Sequence, residues 1–368
     1  MKISILSALL ILACAGSAAA LSCNDKPNRY RNRDVFATVK QTSNIQFGQN
    51  KNPLYNNASV NLFMDVFEPV GDSCTKRPLI IFMWGGGFKT GTRKDETGTC
   101  QQFAKRGFTC VTSDYRMGVN GVDNPTNFGT PAFMSTQDTR AAVRFLRKNA
   151  ALYSIDTGFI YVGGCSSGGY AAMWTGYLDQ LSEIPDVVDK AALDGGIEGN
   201  SGNPGYSSKI AGVLSLSGAV HDTLWINKGD VAFAAVQCSA DPTVHPEGGI
   251  GAGSKMQYYG GTAFSARATH IGLPHALKTF TGACHCPRPI GPTGVDSTVD
   301  FFAKSVYEFM TAPTTRIRPA VAFSPRDLET VGETEWVDVR GQRVRLKVPA
   351  GAARVPAFRP GLYFPASR

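Results

Sequence analysis

Residues 159–169 read Phe-Ile-Tyr-Val-Gly-Gly-Cys-Ser-Ser-Gly-Gly, and this stretch is the strongest structural signal in the chain. The apolar run 159–162 predicts a buried strand, and the residues from 168 to 181 predict a helix directly after it. A serine enclosed by Gly164 and Gly168 on such a sharp turn holds its hydroxyl above the edge of a sheet. A purely structural glycine turn is the alternative, because a Gly-x-Ser-x-Gly pattern alone is common. Its place between a strand and a helix favours a nucleophile at Ser166.

Strand-like and helix-like segments alternate on both sides of this turn. Apolar or alternating runs predict strands at residues 60–66, 78–84, 108–113, 210–216, 231–236 and 277–280. Helical spacing predicts helices at residues 136–150, 168–181 and 299–310. The polar segment 21–51 is expected to lead into the domain with little strand structure. The alternation predicts the α/β class, with a mostly parallel central sheet flanked by helices.

The first twenty residues have the composition of a secretory signal peptide. Lys2 precedes the apolar run 3–13, and three alanines end at Ala20. The run is too short to act as a transmembrane anchor. We therefore expect residues 1–20 to be removed and the protein to be secreted or held at the cell surface. Cys14 fits, less completely, the lipid-modified cysteine of a bacterial lipoprotein.

The composition changes after residue 312, which divides a main domain at 21–312 from a tail at 313–368. Three prolines mark a linker, and two short strands are predicted around Gly341. The chain has 37 basic and 29 acidic residues, giving +8, and the tail supplies +5 of this excess (ten basic minus five acidic). The excess of basic residues in the rest of the chain is therefore small, and it does not predict a nucleic-acid partner. The tail resembles small β-rich sorting domains of exported bacterial enzymes, which implies secretion machinery as a partner; an extra hairpin packed on the main domain is the alternative.

A serine hydroxyl needs a base, and that base needs a carboxylate to orient it. Asp241 lies in a turn after the predicted strand 231–236, and His285 lies on the loop after the last predicted strand. We therefore predict a catalytic set of Ser166, Asp241 and His285. Asp222 is the second candidate for the carboxylate, and Asp194 is a weaker one. The remaining histidines are interpreted as surface or supporting residues: His221, His245, His270 and His275.

Residues 84–88 read Trp-Gly-Gly-Gly-Phe at the end of the predicted strand 78–84. The backbone amides of Gly86 and Gly87, with the amide of Ser167, are predicted to form an oxyanion hole. Trp84 and Phe88 are candidates for stacking on a phenolic acyl group or a sugar, as is Trp174. Simple packing is the alternative for these aromatic residues.

The stretch from about residue 60 to 310 resembles α/β hydrolases of the esterase and lipase class. The resemblance rests on the glycine loop, the helix with Asp138 and Arg140, the serine turn, and the turn that begins at Asp241. It implies an acyl-enzyme mechanism on an ester substrate, without a metal or organic cofactor. The chain departs from the His-Gly-Gly-Gly esterases at Trp84, where those enzymes usually have a histidine that helps to hold the loop.

A second resemblance rests on two cysteines, because Cys165 precedes Ser166 and Cys286 follows His285. Tannases and fungal feruloyl esterases have this pattern, which implies a Cys165–Cys286 disulfide tying the nucleophile to the base. With the signal removed, eight cysteines remain, and an even number in an exported protein favours disulfides over metal thiolates. We hypothesise a second bond between Cys238 and Cys284. Two pairs are then left by elimination: Cys23 with Cys74, and Cys100 with Cys110.

Together these features predict a secreted serine carboxylic-ester hydrolase. The second resemblance and the expected export favour feruloyl or acetyl groups on plant cell-wall polysaccharide such as xylan. Three alternatives stay open: a general short-chain carboxylesterase or lipase, a serine peptidase of the same fold, and a non-catalytic binding protein on a hydrolase scaffold.

Overall fold

The structure is a computed structural model that describes Cys23, Lys26, residues 28–290 and 296–312, and three backbone strands within the tail. The expected signal peptide, the lipoprotein alternative at Cys14 and the linker prolines lie outside the described residues. The tail strands are β11 (Thr334–Asp338), β12 (Arg343–Leu346) and β13 (Tyr363–Pro365), and β11 pairs antiparallel with both of the others. The two strands predicted around Gly341 are therefore present, and a third strand joins them.

Eight strands form the central sheet, in the order β1-β2-β4-β3-β5-β6-β7-β10. The six strands from β4 to β10 run parallel, and β2 and β1 add antiparallel at one edge. A separate hairpin is made by β8 and β9. The ranges are β1 Val39–Asn52, β2 Ala58–Pro69, β3 Arg77–Met83, β4 Thr109–Ser113, β5 Ile155–Cys165, β6 Gly212–Leu216, β7 Ala232–Cys238, β8 Gly249–Ile250, β9 Gln257–Tyr258 and β10 His275–Phe280.

Helices cover both faces of the sheet. They are α1 Thr97–Ala104, α2 Thr126–Lys148, α3 Ser167–Tyr177, α4 Gly261–Ile271 and α5 Ser297–Thr311. The buried apolar side chains form two cores, one on each face of the sheet. The first core contains residues of α2, α3 and α4, and the second contains residues of α1 and α5. Alternate residues of β3 belong to different cores, with Ile81 in the first and Ile80 in the second. Burial on both faces explains why this strand is a continuous apolar run.

Two expectations about local structure are wrong. The segment 21–51 contains all but the last residue of β1, a 14-residue edge strand, although little strand structure was expected there. Half of the β1 residues are exposed to solvent, and its Asn, Gln and Lys residues hide the strand signal in composition. The helix expected to begin near residue 136 begins at Thr126 and includes Pro131. Helix α1 was not predicted.

The parallel strands bring the candidate residues to one edge of the sheet. The glycine loop follows β3, Ser166 follows β5, Asp241 follows β7 and His285 follows β10. Because parallel strands end at the same edge, segments distant in sequence become neighbours there. Among the described helices, none combines the length and apolar character needed to cross a bilayer.

Candidate active site

Ser166 occupies the turn between β5 and α3 with φ 52° and ψ −118°. This left-handed conformation is costly for a serine and is held in place by its surroundings. The Ser166 amide donates to the Leu216 carbonyl at 2.9 Å, which ties the turn to β6. A side chain at Gly164 would collide with the backbone of Gly168. The turn therefore requires the glycines that the sequence supplies.

Ser166, His285 and Asp241 form an unbroken hydrogen-bonded row. The His285 Nε2 atom lies 2.8 Å from the Ser166 Oγ atom, although the two residues are 119 positions apart. The His285 Nδ1 atom lies 2.9 Å from Oδ2 and 3.0 Å from Oδ1 of Asp241. Because an ionised carboxylate only accepts, the Nδ1 atom carries the proton, and Nε2 is left to accept from the serine hydroxyl.

The Asp241 side chain is fully buried but well supplied with hydrogen bonds. Burial by itself raises the pKa of this carboxyl, but donation from His285 and from the backbone amides of Val244 and Thr243 outweighs it, so the pKa lies below its ordinary value. Those two amides donate to Oδ1 at 3.0 and 2.9 Å. The Gln237 Nε2 atom donates to the Val244 carbonyl at 2.6 Å, which anchors the same turn. The carboxylate therefore stays charged while it orients the imidazole.

The glycine loop after β3 lies directly against Ser166. A Cβ built on Gly85 would be 3.1 Å from the Ser166 Cβ atom. The loop turns at Gly86 and Gly87, whose φ angles are 132° and 63°. In the described part of the chain, the amides of Gly86, Gly87 and Ser167 donate no hydrogen bond to a protein group. Three free donors thus lie on the two segments next to the serine hydroxyl.

The interpretation of Trp84 and Phe88 as stacking residues is wrong. The Trp84 side chain is 2% exposed and that of Phe88 is 0% exposed. The indole of Trp84 stacks on Tyr115 with ring centroids 4.1 Å apart, and Phe88 meets Phe128 edge-on at 5.2 Å. Trp174 is likewise fully buried. These rings pack beneath the loop, so they offer no face to a ligand.

The other carboxylate candidates make different contacts. Asp222 caps a short 3-10 turn by accepting from the Leu224 amide at 2.8 Å. Asp194 ends another 3-10 turn, and its carbonyl accepts from Gln137. The Nδ1 atom of His221 lies 3.0 Å from the Gln257 carbonyl. Only Asp241, among the described carboxylates, is hydrogen-bonded to His285.

Two disulfides flank His285. Cys165 is bonded to Cys286, with Cα atoms 5.9 Å apart, and Cys238 is bonded to Cys284, with Cα atoms 5.5 Å apart. The first ties the serine turn to the histidine loop, and the second ties the end of β7, next to Asp241, to that loop. Cys23 is bonded to Cys74 far from this site.

The pairing of Cys100 with Cys110 is wrong, because both side chains are free thiols. Both are fully buried in the core between α1 and the sheet. Burial raises the pKa of the Cys100 thiol well above its ordinary value, and the neighbouring Cys110 raises it further. Elimination assumes that every remaining cysteine is bonded, whereas these two pack in the core as small apolar side chains.

Further residues hold the histidine loop, and the sequence pattern did not reveal them. The Ser217 hydroxyl accepts from the Cys286 amide at 3.1 Å. The Arg288 Nη2 atom donates to both carboxylate oxygens of the buried Glu96, at 2.7 and 2.8 Å. Burial raises the pKa of Glu96 and outweighs the opposing effect of Arg288. No local motif connects these partners, because their contacts form only when β6 and α1 are brought beside the loop.

Removing the Cys165–Cys286 bond is expected to reduce turnover as well as stability. With both residues changed to serine, the loop that carries His285 is freer to move away from Ser166. We expect kcat to fall by about tenfold, because catalysis depends on the position of the base. The matched control is the double change Cys23→Ser and Cys74→Ser, which also removes one disulfide and about 4 kcal/mol of stability. Equal kcat losses in the two variants, measured well below either melting temperature, would refute the positioning role.

The geometry can be compared with known proteins. A family model named BD-FAE matches residues 64–237, a stretch that includes the glycine loop and the serine turn. A thermophilic esterase of Thermogutta terrifontis with bound propionate superposes with a TM-score of 0.53 at 20% identity, covering 77% of this chain and 99% of that one. The chain has the α/β-hydrolase fold. The butyrate-bound form of the same esterase gives the same TM-score, 0.53, over 78% of this chain and 99% of that one.

Sequence similarity to curated proteins extends over shorter stretches of the chain. The juvenile hormone esterase of Heliothis virescens is 26% identical over 117 residues, and the neuroligin-like protein glit-1 of Caenorhabditis elegans is 29% identical over 109 residues. These matches cover 32% and 29% of this chain, but only 20% and 14% of the relatives. No group of three or more His, Cys, Asp or Glu side chains in the described residues is arranged to hold a metal ion.

Proposed function

We propose that this α/β hydrolase is a serine carboxylic-ester hydrolase that acts through an acyl-enzyme. The observation that carries the proposal is the row from Ser166 Oγ through His285 to Asp241, with hydrogen bonds of 2.8 and 2.9 Å. Free amides on the adjacent glycine loop and at Ser167 supply the electrostatic half of the same chemistry.

In the proposed reaction, the Ser166 oxygen attacks the ester carbonyl carbon while His285 Nε2 takes the hydroxyl proton. The carbonyl oxygen becomes an oxyanion, which the amides of Gly86, Gly87 and Ser167 bind. Asp241 stabilises the imidazolium that has formed. His285 then gives its proton to the leaving alkoxide, and the carbon–oxygen bond to the alcohol breaks. Water, activated by the same histidine, releases the acid and restores the serine.

The substrate that we propose is a feruloyl or acetyl ester on plant cell-wall polysaccharide. Cys165 precedes Ser166, Cys286 follows His285, and a disulfide bond joins the two cysteines. This pattern supports the proposed substrate through the resemblance to tannases and feruloyl esterases. We propose further that the signal-like residues 1–20 direct export to the cell exterior, where such polymers occur. A short-chain carboxylesterase is the second candidate, and it is favoured by the likeness to an esterase solved with propionate and with butyrate.

A substrate panel tests the proposal. Purified protein would be assayed on p-nitrophenyl acetate, methyl ferulate, acetylated xylan and a peptide p-nitroanilide, with Ser166→Ala as the matched blank. We expect turnover of the phenyl ester and of at least one of the plant-derived esters. Turnover of the phenyl ester alone would replace the plant substrate by the short-chain alternative. Equality with the blank on every ester would overturn the enzymatic proposal and favour a binding protein, and turnover of the peptide alone would favour a peptidase.

A further inference from the structure

The side chain of Tyr115 lies between the two segments that carry the proposed oxyanion donors. Its Oη atom is 3.0 Å from the Trp84 carbonyl oxygen, which immediately precedes the glycine loop. The same Oη atom is 3.4 Å from the Ser167 hydroxyl, on the residue that follows the nucleophile. Tyr115 itself follows β4, a third element, so one phenol group connects segments that the backbone keeps separate.

The donor and the acceptor in each of these two contacts follow from the single hydroxyl proton of Tyr115. A carbonyl oxygen only accepts, so the phenol donates its one proton to Trp84. The Ser167 hydroxyl must then be the donor in its longer contact with the phenol oxygen. Tyr115 is almost fully buried, and burial raises the pKa of its hydroxyl far above the ordinary value. The phenol therefore remains a neutral donor wherever the site is active.

Fixing the Trp84 carbonyl also fixes the start of the glycine loop. A peptide unit is planar, so the Trp84 carbonyl and the Gly85 amide turn together. On the other side, the Gly86 carbonyl accepts from the amides of Lys89 and Thr90 at 3.1 Å, which in the same way fixes the Gly87 amide. Only one peptide unit lies between these two anchors, and it carries the Gly86 amide. Without the first anchor, three consecutive glycines have the freedom to rotate that amide away.

Tyr115 is itself held firmly. Its ring stacks on Trp84 with an interplanar angle of 15° and meets Phe88 edge-on. On one side, Asp114 pairs with Arg93 at 3.0 Å. On the other, Arg116 pairs with the buried Asp138 at 2.9 Å. A side chain anchored at both neighbours is suited to set the position of the glycine loop.

We infer that Tyr115 is a positioning residue for the oxyanion hole, acting through the Trp84 carbonyl and the Ser167 hydroxyl. The inference rests on the proposed function. In this chain the phenol of Tyr115 holds the glycine loop. In the His-Gly-Gly-Gly esterases, a histidine at the position of Trp84 helps to hold it. Its effect belongs to the transition state, because only there does the substrate oxygen carry the charge that these amides stabilise.

The test compares Tyr115→Phe with Tyr177→Phe. Each change removes one hydroxyl from a buried tyrosine that donates to a backbone carbonyl: Trp84 at 3.0 Å for Tyr115, and Val231 at 2.9 Å for Tyr177. Tyr177 lies at the end of α3 away from Ser166, so its change measures the purely structural loss. We expect Tyr115→Phe to lower kcat on p-nitrophenyl acetate by roughly 10- to 100-fold with little change in KM, which is less than the loss of a whole oxyanion donor.

A second readout separates positioning from general destabilisation. An aryl trifluoromethyl ketone forms a tetrahedral adduct on the serine and places an oxyanion in the hole. Its inhibition constant should rise in Tyr115→Phe by the same factor by which kcat/KM falls, and should not change in Tyr177→Phe. Equal kcat in the two variants at similar melting temperatures, or an unchanged inhibition constant, would overturn the inference. An inactive wild-type protein would instead overturn the proposed function, so the two failures are distinguishable.

Discussion

Changing Ser166 or His285 to alanine is expected to lower kcat on p-nitrophenyl acetate by about 10⁶-fold, and changing both is expected to lower it no further. The reason is that the two atoms 2.8 Å apart act as one unit: the serine is a weak nucleophile without the base, and the base has no proton to take without the serine. Residual hydrolysis above the uncatalysed rate is expected from the amides of the oxyanion hole. Steady-state assays of the three variants measure the effect.

His221→Ala is the matched control for the histidine. His221 lies at the same sheet edge but contacts the Gln257 carbonyl rather than Ser166. Its kcat should stay near that of the wild type. A double variant whose loss is the product of the two single losses would mean that Ser166 and His285 act independently, which is contrary to the mechanism.

Asp241→Asn is expected to lower kcat by about 10⁴-fold at neutral pH, with little change in KM. The asparagine amide can donate from its NH₂ group to the Nδ1 atom of His285, which favours the imidazole tautomer that carries its proton on Nε2. In that tautomer Nε2 cannot accept the proton of the Ser166 hydroxyl. Asp222→Asn is the matched control, because Asp222 was the second candidate and only caps a turn. Loss of activity in the Asp222 variant, with Asp241→Asn active, would transfer the orienting role to Asp222.

The lowered pKa of Asp241 gives the same variant a stability signature. A carboxyl whose pKa is lower in the folded than in the unfolded protein stabilises the fold at pH values above its unfolded-state pKa, which is near 4. This stabilisation is lost as the pH falls through the folded-state pKa. The wild type should therefore be more stable than Asp241→Asn at pH 7, and the difference should shrink at lower pH. Melting temperatures of both proteins between pH 7 and pH 3 measure it. A constant difference would mean that the charge of Asp241 contributes nothing.

The candidate catalytic residues were accessible from the sequence because their signals are local. Ser166 lies in a strand–turn–helix pattern. Asp241 follows the buried strand β7, and His285 follows β10, an edge strand whose residues are half-buried or exposed. Parallel strands end at one edge, so chain order alone brings these turns together. The fold class, now supported by the structural neighbours, was predictable for the same reason.

What the sequence did not reveal depends on contacts across the fold. Trp84 and Phe88 look like ligand-facing aromatics until β4 brings Tyr115 against them. Cys100 and Cys110 look like a disulfide pair because elimination assumes that every remaining cysteine is bonded, and only the fold shows them as free thiols in the core. The edge strand β1 has the composition of a loop, because it is stabilised by backbone pairing with β2 rather than by burial of its side chains.

Covalent labelling tests directly whether Ser166 is a nucleophile activated by His285. The protein would be incubated with paraoxon, a phosphate ester that captures an activated serine, and examined as an intact chain and as peptides by mass spectrometry. We expect one diethylphosphoryl group per chain, located on Ser166, and no labelling of Ser166→Ala or His285→Ala on the same timescale. Labelling at another residue, or equal labelling of wild type and His285→Ala, would contradict it.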